Sequence, residues 1–182
     1  MSAFIPPTWF EGLLIQIGYV IIPLIIGIII SAICLIKDKT ALGCAILVIC
    51  IICAGVGSDV LWWQNYEIPS VDSKIVTVQD WQPKAGLPTN EKGLMVINSA
   101  DDLMLITTDG EGYLNEENFL FQKFDTRDIL NNAKPNSTLN ITYYGWREGF
   151  NSGFPNILSI EVIDDSHAQN KSVSDYFGTK IV

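Results

Sequence analysis

From Asn65 to its end this sequence has no cysteine, and the whole chain has a single histidine. That scarcity removes disulfide frameworks, Cys/His zinc sites and most nucleophile–base pairs from the C-terminal two-thirds. Basic residues are scarce too. Beyond Asn65 nine Lys and Arg face seventeen Asp and Glu, which accounts for nearly all of the net charge of −9. A nucleic-acid partner, which needs clustered Lys and Arg, is not expected, nor is a domain held on anionic headgroups by charge. Residues 13–63 lack charge of either sign, except at Lys37, Asp38, Lys39 and Asp59.

That apolar stretch divides into two candidate transmembrane helices. Residues 13–36 and 41–63 each offer more than twenty largely apolar positions, enough for a hydrocarbon core of about 30 Å. Thr8 and Glu11 have capping-box spacing, and Trp9 with Phe10 suits an interfacial belt, as do Trp62 and Trp63 at the far end. Pro23 predicts a kink in the first helix. Only residues 37–40 join the two, so they are expected to be antiparallel neighbours. Small residues one turn apart (Gly27 and Ser31, Ala41 and Ala45, Ala54 and Ser58) suit close helix packing, and further assembly through the hairpin is open. The four cysteines, Cys34, Cys44, Cys50 and Cys53, all lie in these stretches and read as small packing residues. The interhelical loop carries two lysines and the first twelve residues carry none. The positive-inside rule therefore puts the loop in the cytoplasm and the C-terminal domain outside.

After a short N-terminal tail (1–12), the hairpin and a linker (64–72), a β-rich domain is predicted over 73–165, followed by a polar tail (166–182). Lys74–Trp81 alternates as a half-buried strand, and Gly93–Asn98 and Leu103–Thr108 read as two more. Asp109 to Gly112 is a turn. Asp125 is placed to cap a short helix through Asn132, and strands are expected over Thr138–Trp146 and Asn156–Ile163. Three strands, one helix and two strands is the order of an OB-like five-stranded barrel. An SH3-like barrel or small sandwich is the alternative. Tyr176, Phe177, Ile181 and Val182 form a terminal apolar patch able to dock back.

Several segments, in order, carry a resemblance: Lys123-Phe124-Asp125, Asp128-Ile129, Tyr144-Gly145-Trp146-Arg147 and Phe154-Pro155-Asn156-Ile157. Over about residues 100–163 the chain resembles a family of uncharacterised small bacterial and phage membrane proteins, a domain of unknown function. YGWR is the most specific piece. The resemblance implies the architecture and no activity, and it brings no catalytic residues.

The densest aromatic and basic cluster outside the hairpin is Tyr143, Tyr144, Trp146 and Arg147, a candidate platform for a ligand or partner. In a strand Tyr144 and Trp146 share one face, Tyr143 and Arg147 the other. The favoured placement puts Trp146 in the core and pairs Arg147 with Asp125 or Asp128. His167 beside Asp164 and Asp165 is a poor metal site, and Asp109–Gly112 lacks the ligand spacing of a calcium loop. Asn136, Asn140 and Asn170 match the glycosylation acceptor pattern. No cofactor or metal is expected. The expected function is a non-enzymatic, membrane-anchored extracytoplasmic module that binds a protein partner or envelope component: another membrane protein, an envelope component or a phage-related factor. A small-ligand or oligosaccharide receptor is second, and an enzyme with an unrecognised site third.

Overall fold

A computed structural model describes residues 4–147 and 153–180. The chain divides into two compact units, residues 1–69 and 70–182.

The first unit is an α-helical hairpin. Helix α1 (Trp9–Ile36) starts at the predicted capping box: Glu11 N–H donates to Thr8 Oγ1 at 3.4 Å and Thr8 N–H to Glu11 Oε2 at 2.9 Å. It continues through Pro23 as one helix of 28 residues. Helix α2 (Thr40–Trp62) passes into a π turn (Trp63–Glu67) and a 3-10 turn (Ile68–Ser70), so the segment read as a linker is largely helical. Both helices are long and apolar enough to cross a membrane. Their seam is tight because its residues are small. A Cβ on Gly27 would fall 2.6 Å from Cys50 Cβ, and one on Gly43 would fall 3.1 Å from both Cys34 Cβ and the Ser31 carbonyl. Ser31 Oγ donates to the Gly43 carbonyl at 2.9 Å, giving a polar side chain in an apolar seam its partner. Ala54 is buried in the unit as expected, but Ala41 and Ala45 face outward. Gly43 and Cys50 take their place in the seam.

The second unit is a five-stranded mixed sheet with one helix. Its strands are β1 (Asp72–Pro83), β3 (Leu103–Thr107), β4 (Gly112–Leu114), β5 (Thr138–Tyr144) and β6 (Asn156–Asp164); helix α3 is Thr126–Asn132. The long β1 serves two partners. Asp72–Thr77 pairs with β5 and Val78–Pro83 with β3, the register shifting between Val78 and Asp80. The neighbour order β1-β3-β4-β6-β5 returns to β1, so the sheet closes on itself. Every pairing is antiparallel except β4 with β6, which meet in parallel at Leu114 and Asn156. Alternation along β1, β3 and β5 points Val76, Val78, Leu105, Leu139 and Ile141 inward with Ile157. Ile129, Leu130 and Ala133 of the α3 region belong to the same core, and Trp81 Nε1–H donates to the Ala133 carbonyl at 2.8 Å.

Three expectations need correction. The strand expected at Gly93–Asn98 is shortened to β2 (Met95–Ile97) and lies outside the closed sheet. The third strand of the ring is instead β4, formed by three residues directly after the Asp109–Gly110 turn. The segment read as a polar tail carries a 3-10 turn (Val173–Asp175) and strand β7 (Gly178–Lys180), which pairs with β2. Tyr176 is buried, its hydroxyl donating to Asp80 Oδ1 at 3.1 Å, and Lys171 pairs with Asp80 Oδ2. Ile181 and Val182, also read as part of the docking patch, lie outside the described residues. Asp125 stands at the N-cap of α3 but its side chain makes no capping hydrogen bond.

Candidate functional site

Strand β5 ends at Tyr144 because Gly145 takes φ +83°, a left-handed conformation that glycine adopts without steric cost. That residue breaks the two-residue period. Trp146 and Arg147 therefore come to the side of Tyr143, and the four residues of the expected platform separate into two groups. Tyr143, Trp146 and Arg147 line one cleft of about 440 Å³, together with Tyr113, Glu111 and Pro155. Tyr144 turns away: its ring lies 4.4 Å from that of Phe121, and its hydroxyl accepts from Asn118 at 2.7 Å and Asn156 at 3.0 Å.

Trp146 is only half-buried and does not belong to the hydrophobic core, contrary to the favoured placement. Trp81 fills the position expected of it, 4 % exposed. Arg147 is exposed and lies against neither Asp125 nor Asp128. Its guanidinium stacks 3.7 Å from the Phe154 ring, and it has no ion pair among the described residues. A cation over an aromatic face is attracted by the ring quadrupole, and stacking leaves the guanidinium N–H edge free to donate. The Phe154 ring in turn needs Gly112: a Cβ there would sit 3.0 Å from Phe154 Cε1 and 2.5 Å from Met104 Cε.

One cleft wall is electrostatically braced. Lys74 Nζ reaches Glu111 Oε2 at 2.7 Å and Asp109 Oδ2 at 2.9 Å, Tyr113 OH donates to Glu111 at 2.6 Å, and Thr107 Oγ1 donates to Asp109. The Lys74 ammonium and the Tyr113 hydroxyl hold the Glu111 carboxyl below its ordinary value. Thr107, then Lys74, do the same for Asp109. Burial, then the Glu111 carboxylate, pushes the Tyr113 phenol up, and burial with Asp72 does so for Tyr143. Both phenols stay protonated at neutral pH, and that of Tyr113 donates to Glu111.

A second polar cluster, not singled out in the sequence, sits at the parallel β4–β6 junction. Lys123 is 4 % exposed, and its Nζ donates to the Glu116 carbonyl at 2.8 Å, Asn115 Oδ1 at 3.1 Å and Asn156 Oδ1 at 3.3 Å. Burial pushes its pKa down to about 8, against the opposing pull of Asp125, Asp101, Glu116 and Glu117. A lysine depressed towards neutrality is a nucleophile type in open clefts. Here three protein acceptors occupy the ammonium of an almost wholly buried side chain, so the group acts as a polar clasp across the seam.

The remaining candidates do not converge. Asn136 and Asn170 are exposed, while Asn140 is half-buried in β5 between Ile75 and Glu161. His167 is exposed, and no metal-holding cluster exists among the described residues. The four cysteines are free.

Fold and cleft together describe a small β-rich unit that follows two long apolar helices in the chain and carries an aromatic cleft. Residues 117–181 are similar to a family described as a protein of unknown function (DUF1523). The segments from Lys123 to Ile157 that carry the sequence resemblance lie inside that match. The match starts later than expected and extends through the docked C-terminal strand. No curated protein and no solved structure matches the chain.

Proposed function

We propose that the chain is a membrane-anchored, non-catalytic binding module whose second unit is an OB-like barrel facing away from the cytoplasm. Its cleft would engage a segment of a membrane or envelope protein. The OB-like reading is supported by the ring of five strands, the helix between the third and fourth of them, and the parallel contact of third with fifth. Such barrels bind ligands with their second and third strands and with the loops after the first and fourth. The observation that carries the reading is the position of the cleft, between the third ring strand (β4) and the loop leaving the fourth (β5). The outward orientation is supported by Lys37 and Lys39 in the interhelical loop.

A photoreactive amino acid in place of Trp146, in the full chain in its native membrane, tests the cleft. One protein adduct of defined mass, lost when Arg147→Ala is added, is expected; adducts indifferent to Arg147 would remove the cleft from the reading. Orientation is tested separately. A membrane-impermeant thiol reagent should label Ser73→Cys in intact cells, and labelling only after lysis would place the unit in the cytoplasm.

A second reading, an oligosaccharide receptor, is favoured by three rings (Tyr113, Tyr143, Trp146) beside one acid and one guanidinium. Sugar faces stack on rings, and their hydroxyls suit such polar groups. A saturable change in tryptophan emission on titration with envelope oligosaccharides, abolished by Trp146→Ala, distinguishes it from the protein partner.

A further inference from the structure

The loop between β4 and α3 holds two phenylalanines out into solvent: Phe119 is 81 % exposed and Phe124 60 %, their ring centroids 6.5 Å apart. The loop is built to hold them there. Asn118 and Lys123 form a bridge across its base, and Asn118 Oδ1 accepts the Leu120 and Phe121 N–H groups at 2.9 and 3.1 Å. Gln122 turns the chain at φ +54°, and the buried Lys123 clasp fixes one leg. A rigid hairpin that spends two large apolar side chains on water is expected to have something apolar to place them in.

Chain connectivity indicates what that is. Asn118 Nδ2 donates to the Tyr144 hydroxyl, the Phe121 ring stacks on that of Tyr144, and the next residue, Gly145, donates its N–H to Ser70 Oγ at 2.8 Å. Ser70 is the first residue of the second unit, so the loop is rooted at the end where the chain arrives from α2. Ser70 lies seven residues after Trp63, the aromatic end of the apolar run, a contour of at most about 25 Å at any orientation of the unit. The bilayer of the membrane-anchored reading is an apolar phase tethered within that length of Ser70.

We propose that Phe119 and Phe124 insert into the interfacial region of the same bilayer that α1 and α2 cross, seating the second unit on the membrane. This rests on the membrane-anchored reading but on neither the cleft nor its ligand. The attraction is apolar, because Glu116 and Glu117 flank the loop and the unit is acidic. Neutral, zwitterionic lipid therefore suits it better than anionic lipid.

The test uses the full chain in phosphatidylcholine nanodiscs, with a fluorescent amino acid introduced by stop-codon suppression at 119, at 124, or at Lys92 beyond the far end of β1. Lipids carrying nitroxide at the headgroup or high on the acyl chain should remove most of the emission at 119 and 124 and little at 92. Replacing half of the phosphatidylcholine by phosphatidylglycerol should lessen that quenching. Weak quenching at 119 and 124, equal to that at 92, in protein still incorporated in the discs would overturn the inference and leave the anchor intact. So would a photoreactive group at 119 that captures a protein and no lipid. Stronger quenching with anionic lipid would overturn the apolar basis, and failure of the chain to enter discs would overturn both readings.

Discussion

The interior of the second unit holds a lysine and a tryptophan, and so does the neighbourhood of its cleft, where Trp146 lines the cleft and Lys74 pairs with the lining residue Glu111. Inside, Lys123 has three neutral acceptors and no ion pair among the described residues, and Trp81 is packed with its indole N–H satisfied. At the cleft, Lys74 sits between two carboxylates near water, and Trp146 is half-buried beside an exposed arginine. Burial therefore lowers the pKa of Lys123, while hydrogen bonding to Glu111 and then Asp109 raises that of Lys74. The same residue types are sealed into the core in one place and stand near solvent in the other.

Substitutions can break this contrast, beginning with the largest effect. Trp81→Ala should cost about 4 kcal/mol of unfolding free energy, from the cavity and the orphaned Ala133 carbonyl. Trp146→Ala should cost under about 1 kcal/mol and weaken capture of the partner by the full chain instead. Equal midpoints for the two in denaturant titration would erase the distinction. A fragment beginning at Glu67, giving a mainly β circular dichroism spectrum with a little helix, would be the material for these measurements; a predominantly helical or unfolded spectrum would contradict the fold itself.

Lys123→Ala should cost about 2–3 kcal/mol, since Asn115, Asn156 and the Glu116 carbonyl lose their shared donor inside the sheet. A cost indistinguishable from zero would mean that the seam closes without its clasp.

The pH dependence follows from the same lysine. With a folded pKa near 8 against about 10.4 unfolded, the unfolded chain binds more protons at this site between those values, so stability rises with pH. Between pH 8 and 10 the gain should reach about 2 kcal/mol and vanish in Lys123→Met. Above pH 10 the raised pKa values of Tyr113, Tyr143 and Tyr176 work the other way, because the unfolded phenols ionise first and stability falls. A stability that declines steadily from pH 8 would contradict the buried clasp.

The smallest effect belongs to Lys74→Met. Its partners are exposed, and such pairs add little to stability in water. No resolvable change in midpoint is expected, and a clear loss would show that the cleft wall is part of the cohesive interior.

How far the sequence revealed these features depended on how local their causes are. The capping box at Thr8 and the two apolar helices depend on neighbours in sequence and were legible. So was β1, though its length came out as 72–83 rather than 74–81. Strand β4 was missed because three residues after a turn show no periodicity, and its identity comes from β3 on one side and β6 on the other. Met95–Ile97 has strand composition, but its partner lies some eighty residues later, which no local pattern signals. Of the four platform residues Tyr143, Trp146 and Arg147 share the cleft and Tyr144 does not, since alternation presumes a continuous strand and Gly145 interrupts it. The burial of Lys123, a residue of the resemblance segments, was not legible because a buried lysine and a solvated one look alike in sequence.

The strap formed by residues 171–180 also sets a timetable for folding. It clamps Asp80 and completes a two-stranded sheet with Met95–Ile97, yet a ribosome delivers it after everything it touches. Until then β2 has an unpaired edge and Asp80 lacks the lysine and the phenol that later hold it. Contacts this distant in sequence are slow to form, and open strand edges invite pairing with other chains. The nascent unit is thus most exposed to misassociation late in translation, when the closed sheet can already form but its cover has not arrived.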